Sequence, residues 1–192
     1  MSYIQHTELT SHSSTDVKTY PDVVAITRLS KITLMSAVAF YLTLVVFNNI
    51  VDYGSNFQFV RNIMLMSSVF EENQGIWRAI TSPVLHHICY WFIILWIGAA
   101  GLLCWMGTYH CWQAREADAE IFNQSKSLII MGLSLILFLW LAVFIAIGGE
   151  WFMMWQSTDW NVQNASFRMF TIIGVLLIYI SLPDADFATL ED

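Results

Sequence analysis

Four long apolar runs constrain this chain more than any other feature of its sequence. They cover residues 32–51, 84–108, 128–149 and 167–182, and a helix needs about 17 to 25 apolar residues to cross the ~30 Å hydrocarbon core of a bilayer. The last run is the shortest and starts beside Arg168, whose long side chain can extend to the bilayer surface. The sequence therefore predicts an all-α protein, a bundle of four transmembrane helices.

The composition supports membrane integration. Hydrophobic residues make up 57% of the chain and charged residues only 12%, whereas soluble domains contain about 25% charged residues. A soluble fold with this balance would expose large apolar patches, which soluble monomers rarely do. We therefore divide the chain into a polar N-terminal tail (1–20), one membrane domain (21–183) and an acidic, solvated C-terminal tail (184–192). The first run is too long for a signal peptide and follows a polar stretch, so we expect no cleaved leader.

The distribution of positive charge predicts the orientation of the bundle. Cytoplasmic flanks of membrane helices are enriched in lysine and arginine. Five positive side chains lie on the side of the termini, namely Lys18, Arg28, Lys31, Arg115 and Lys126. Three lie on the opposite side, namely Arg61, Arg78 and Arg168. This bias places both termini in the cytoplasm.

The loop between the first two runs, residues 52–83, is long and has an apolar middle that also contains Arg61. This middle part is too short and too polar to cross the bilayer. Phe57, Val60 and Met64 recur there with helical spacing. The pattern predicts an interfacial helix on the outer surface, with a re-entrant hairpin as the alternative.

Small residues recur at helical spacing within two of the runs. They are Ala100, Cys104 and Gly107 in the second run with Cys111 just past its end, and Ala142, Ala146 and Gly149 in the third. Small side chains let helix backbones approach closely in lipid, so we expect both faces to pack on neighbouring helices. None of the three cysteines, Cys89 included, has a partner in a polar loop, and we expect no disulfide.

Polar and ionisable residues concentrate where the four runs reach the predicted outer side. The candidates for a ligand site or polar cluster are Asn48, Asn49, Asp52, His86, His87, Glu150, Trp151, Trp155, Gln156 and Arg168. Because four helix ends lie near one another in a bundle, we expect these side chains to form one cluster walled by tryptophan.

Two interpretations of this cluster stay open. Aromatic belts and polar helix ends are ordinary at bilayer surfaces, and in that case Glu150 and Arg168 pair with each other. Ionisable groups at membrane depth also mark ligand sites and pathways, and in that case the cluster binds something.

The sequence predicts no catalytic residue, no metal site and no cofactor. Adjacent helical side chains point about 100° apart, so His86 and His87 can share an ion only if the helix is broken there. Haem needs imidazoles that face each other from different helices, and these two histidines and His110 belong to the same one. A quinone or lipid head group, held by His and Gln donors against tryptophan, fits best. Nucleic acid is disfavoured because the sequence contains no basic stripe.

Three strings carry a resemblance to a known family. They are FNNIVDYGSNFQFVRNIMLMSS from Phe47, WRAITSPVLHHICYWFIILW from Trp77 and IGGEWFMMWQSTDWN from Ile147. Together they resemble a bacterial domain-of-unknown-function family of predicted small integral membrane proteins, over residues 32–184, with 148–161 as the most specific part. The resemblance implies a four-helix protein of the bacterial inner membrane and brings no activity or site residue. Claudin-like proteins offer an architectural analogy only, because their paired loop cysteines are absent here.

These observations favour a non-catalytic accessory subunit that packs against a larger assembly in the bacterial inner membrane. The partners we expect are the lipid bilayer and other membrane subunits. The alternatives are a small transporter or channel subunit, and a quinone- or lipid-binding redox subunit, each using the outer polar cluster.

Overall fold

The computed structural model describes residues 22–187, and its regular elements are helical. The α-helices are α1 (Val23–Val51), α2 (Tyr53–Met64), α3 (Pro83–Gln113), α4 (Ala119–Ser125), α5 (Ser127–Phe138) and α6 (Gln163–Ser181). A π-helix (Leu139–Trp151) continues α5, and single 3-10 turns lie at Ile76–Arg78 and Met154–Gln156. The predicted N-terminal tail and the last residues of the predicted C-terminal tail lie outside the described range.

Four helical stretches are long and apolar enough to cross a membrane, namely Val23–Val51, Pro83–Gln113, Ala119–Trp151 and Gln163–Ser181. Each contains one of the four apolar runs, except that the last run extends one residue past Ser181. The predicted all-α bundle of four membrane helices is therefore confirmed. The predicted interfacial helix corresponds in sequence to α2, and its location at a bilayer surface stays a prediction.

Helix α1 begins well before the apolar run that predicted it. The carboxylate of Asp22 accepts a hydrogen bond from the backbone N–H of Val24 at 2.8 Å and caps the first turn. At 1.5 Å per residue the helix is roughly 43 Å long, which exceeds the ~30 Å hydrocarbon core. Its first turns bury Arg28 and Lys31, the two positive residues that directly precede the apolar run in the sequence.

Small residues bring α3 and α5 together, as the sequence predicts. Ala100, Cys104 and Cys111 of α3 are fully buried. A Cβ atom added to Gly132 of α5 would lie 2.8 Å from the sulfur of Cys104, so the backbones approach too closely for a larger side chain. On the third span the expectation is only partly met, because Ala146 is exposed.

The third span is a regular α-helix only in its first half. From Leu139 to Trp151 it is a π-helix, a conformation that proteins use mostly in single turns and often at functional sites. The backbone N–H of Phe152 donates to the carbonyl of Ile147 at 3.0 Å, and Met153 then reverses the chain in the left-handed region at φ 56°. The sequence analysis did not predict this widened helix.

Residues 52–82 and 152–162 fold together at one end of the bundle, and we call them the cap. Helix α2 packs on α3 and buries Val60, Ile63 and Met64. The backbone N–H of Ile80 donates to the carbonyl of Met64 at 2.8 Å, which returns the chain to α2 before α3 begins. The opposite end, where the described termini meet, is called the terminal end.

Candidate functional site

Side chains of the cap hold its two segments together. The amide oxygen of Gln156 accepts from the backbone N–H of Phe70 at 3.2 Å and from the amide nitrogen of Asn73 at 2.7 Å. The hydroxyls of Ser68 and Ser157 lie 2.6 Å apart. Gln156, a predicted site residue, therefore acts as a bridge within the cap.

The end of α1 is fixed to α3 by one of the predicted asparagines. The buried hydroxyl of Tyr90 donates to Oδ1 of Asn49 at 2.8 Å. The carbonyl of Asn48 accepts from the backbone N–H of Asp52 at 2.9 Å, and both of these residues are exposed. They form the connection between α1 and α2.

The two adjacent histidines bind different parts of the cap. His86 is buried, and its Nε2 lies 2.7 Å from the carbonyl of Ile80. A carbonyl only accepts, so Nε2 carries the proton. Nδ1 of His87 lies 2.7 Å from the Tyr53 hydroxyl, and its ring stacks on Phe57 with centroids 4.1 Å apart. Within residues 22–187, no group of three His, Cys, Asp or Glu side chains is placed to hold a metal ion.

The predicted pair of Glu150 and Arg168 is wrong. Among the described residues the ion pairs are Lys31–Asp184, Lys126–Asp184 and Arg115–Glu116. Both Glu150 and Arg168 are exposed.

The geometry of α6 explains why that pair does not form. Gln163 faces the third span at the start of α6, because its amide nitrogen would lie 2.6 Å from a Cβ added to Gly149. Five residues further along a helix, a side chain is rotated by about 140°. Arg168 therefore points away from Glu150.

Two aromatic pairs lie on the surface of the cap end. Phe70 and Trp155 meet edge to face with ring centroids 5.9 Å apart. Trp77 and Trp151 do the same at 6.0 Å. The guanidinium carbon of Arg78 lies 5.6 Å from the ring centroid of Trp151. The predicted tryptophan wall thus consists of separate surface pairs, and the predicted single cluster is divided among local contacts.

An apolar groove lies between α3, the π-helix and helix α2 of the cap. Its volume is about 580 Å³. Its lining is made of hydrophobic side chains and one glycine, and includes Val60, Ile63, Ile88, Phe92, Val143, Ile147 and Trp151. None of the predicted His, Gln, Asn, Asp, Glu or Arg candidates lines it; only Trp151 among the candidates does.

A second cluster of charged side chains, absent from the predicted site, lies at the terminal end. Oδ2 of Asp184 accepts from Nζ of Lys31 at 2.6 Å and from Nζ of Lys126 at 2.9 Å, and all three side chains are almost fully buried. The carbonyl of Leu182 accepts from the same two ammonium groups at 2.7 and 2.8 Å. We call Arg28, Lys31, Lys126 and Asp184 the terminal network. The expectation of a solvated tail from residue 184 is wrong for Asp184.

Arg28 connects three segments within this network. Its guanidinium donates to the carbonyls of Arg115 and Ala117 and, at 2.9 Å, to that of Ala185. The ring of Phe122 lies 4.6 Å from its guanidinium carbon. One buried cation therefore joins α1, the connection between α3 and α4, and the segment after α6.

The family of predicted small integral membrane proteins, DUF2165, matches the chain over residues 27–183. The match covers the cap and the apolar runs of all four spans. The chain belongs to this family. No curated protein and no solved structure matches it.

Family membership confirms the resemblance carried by the three strings and shows that the protein is integral to a membrane. Contact with the lipid bilayer follows from this. The matched range contains Arg28, Lys31 and Lys126 and ends immediately before Asp184.

From the sequence alone, Lys31 and Lys126 indicate only the orientation of the bundle. Their partner Asp184 is 153 and 58 positions away along the chain, and no local pattern reports contacts at such separations. One signal was available. Helix C-termini carry partial negative charge and attract cations, and an acidic residue soon after the last apolar run adds to that attraction.

Proposed function

We propose that this protein is a non-catalytic accessory subunit of a larger assembly in the bacterial inner membrane, with its termini in the cytoplasm. The observation that carries the proposal is that polar side chains form contacts inside the cap while an aromatic pair lies on its surface. The polar side chains of Ser68, Asn73, Gln156 and Ser157 bind other parts of the cap. The aromatic pair Phe70 and Trp155 stays on the surface, 53% and 44% exposed.

An exposed aromatic pair on a folded support is typical of a protein contact. Aromatic side chains are enriched among the residues that dominate binding energies at interfaces, and exposed apolar patches mark interaction sites. Gln156 fixes the backbone of Phe70 by accepting from its N–H. Little conformational freedom is then lost when a partner covers the pair, which favours binding.

Photo-crosslinking in the native membrane tests this proposal. A photoreactive amino acid would replace Phe70 or Trp155 in separate variants, and Ser55, an exposed polar residue of α2, would serve as the control. We expect a protein adduct of one defined mass at positions 70 and 155 and none at position 55. Adducts with lipid alone at positions 70 and 155 would overturn the proposal.

The proposed orientation has its own test. Single cysteines would replace Ser55 in the cap and Glu116 at the terminal end, both exposed. An impermeant thiol reagent applied to intact spheroplasts should label position 55 and leave position 116 unlabelled until the membrane is opened. The reverse pattern would place the termini outside.

Lipid or quinone binding is the second candidate function, and the apolar groove is the observation that favours it. His86, His87 and Gln156, the residues expected to hold a quinone, already form hydrogen bonds to groups of the cap, and the amide nitrogen of Gln156 lies 3.7 Å from the sulfur of Met153. The lining of the groove contains neither histidine nor glutamine, which favours a lipid over a quinone.

A further inference from the structure

A positive side chain that has no carboxylate partner within residues 22–187 lies at the mouth of the apolar groove. We propose that the groove binds one acyl chain of an anionic phospholipid and that Arg78 binds the lipid phosphate. This site is separate from the protein contact proposed for Phe70 and Trp155, and it can be present whether or not that contact exists.

The groove suits a hydrocarbon chain. Transfer of a polar group into such a lining would be costly without a hydrogen-bond partner, whereas an apolar chain loses nothing. The groove opens sideways towards lipid, where Ile88 and Phe92 are 56% and 52% exposed. A bilayer lipid can therefore enter without any opening of the bundle.

The groove is short enough to lie within one leaflet. It extends along the third span from Trp151 down to Val143, a distance on the order of 10 Å along the helix axis. Half of the hydrocarbon core is about 15 Å thick. With its upper end beside the cap, the groove occupies the leaflet on the cap side, and its mouth lies at the level of lipid head groups.

Arg78 is held at that mouth by neutral groups. Its Nε donates to the carbonyl of Gly75 at 3.2 Å, and its Nη1 lies 3.5 Å from the carbonyl of Glu150. The ring of Trp151 lines the groove and lies 5.6 Å from the guanidinium carbon. The nearby carboxylate of Glu150 is exposed and forms no ion pair with Arg78 within residues 22–187.

Gly75 leaves room for the side chain of Arg78 to fold back towards the groove. A Cβ atom at position 75 would collide with the guanidinium of Arg78. Guanidinium groups bind phosphate oxygens through paired N–H donors. A guanidinium that forms no ion pair within residues 22–187 and lies above a hydrocarbon groove matches the two halves of an anionic phospholipid, whereas a partner helix or a quinone would use only the groove.

Lipid binding by native mass spectrometry tests this site. The full chain, freed of lipid in detergent, would be titrated separately with phosphatidylglycerol and phosphatidylcholine of identical acyl chains. We expect phosphatidylglycerol to bind about tenfold more tightly, the factor that corresponds to one charge-assisted contact of ~1.4 kcal/mol. Equal binding of the two lipids by the wild-type chain would overturn the proposal without any variant.

Matched substitutions locate the two halves of the site. Arg78→Gln should abolish the preference for phosphatidylglycerol, and Arg78→Lys should keep part of it. Arg61→Gln, at an exposed position of α2, should leave the preference unchanged. Ile88→Trp at the mouth of the groove should weaken both lipids, and Leu95→Trp, on α3 but outside the groove, should not. The proposal fails if Arg61→Gln changes the lipid preference as much as Arg78→Gln does, or if Leu95→Trp weakens lipid binding as much as Ile88→Trp does. It also fails if a quinone binds more tightly than either lipid and Ile88→Trp abolishes quinone binding.

Discussion

The carboxylate of Asp184 lies 2.6 Å from the ammonium group of Lys31, and both side chains are buried. Lys31 belongs to the first span and Asp184 follows the last one, so this contact closes the bundle at the terminal end. Lys126, where α5 starts, lies on the same carboxylate oxygen at 2.9 Å. The free carbonyls at the end of α6 add partial negative charge around the two lysines.

Replacing Asp184 with Asn should destabilise the protein strongly. The change leaves two buried ammonium groups without a counter-charge, and removal of one partner from a buried ion pair typically costs about 3–5 kcal/mol. Thermal unfolding in detergent measures the effect. The control is Glu116→Gln, which breaks the exposed pair with Arg115 and should cost at most about 1 kcal/mol. Equal effects of the two substitutions would contradict the burial of the network.

Replacing Gln156 with Ala should loosen the cap while the bundle stays folded. Two donors, the Phe70 backbone N–H and the Asn73 amide, lose their acceptor, at a cost of about 1 kcal/mol for each hydrogen bond. Hydrogen exchange should become faster in residues 65–75 and stay unchanged in the middle of α3. An unchanged rate at Phe70 would mean that the bridge does not hold the cap.

Glu150 and Arg168 should behave independently in a double-mutant cycle. Both are exposed, and they are not within ion-pair distance, so the effects of Glu150→Gln and Arg168→Gln on thermal unfolding should add. The same cycle with Asp184→Asn and Lys31→Met should show strong coupling. Coupling between Glu150 and Arg168 would restore the pairing expected from the sequence.

The spans were predictable because bilayer thickness imposes a length on every apolar helix. That constraint acts on each helix separately, so the apolar runs around Ala100 and Leu133 can be recognised from the sequence alone. The close approach of α3 and α5 was also predictable, since small residues such as Cys104 recur on one face. The burial of Arg28 and Lys31 in the first turns of α1 was not predictable, because it depends on partners after α6.

The candidate residues at the cap end were recognised as a group, but their partners were not. The positions of His86 and Gln156 next to the ends of apolar runs predict that they lie near a bilayer surface, whereas the carbonyl of Ile80 and the backbone of Phe70, which they bind, carry no sequence signal. Backbone groups are identical along the chain, so only the fold tells which one a side chain reaches. The groove could not be predicted either, because its apolar lining residues do not differ in sequence from other apolar residues of a membrane protein.

The most direct test of the proposed role is the mass of the particle that leaves the native membrane in a mild detergent. A single chain has a mass of 22.1 kDa. The proposed accessory role predicts a larger particle that contains a second, different polypeptide, and predicts its loss when Phe70 and Trp155 are both replaced by Ser. A particle that contains one copy of this chain, with or without bound lipid, would contradict it.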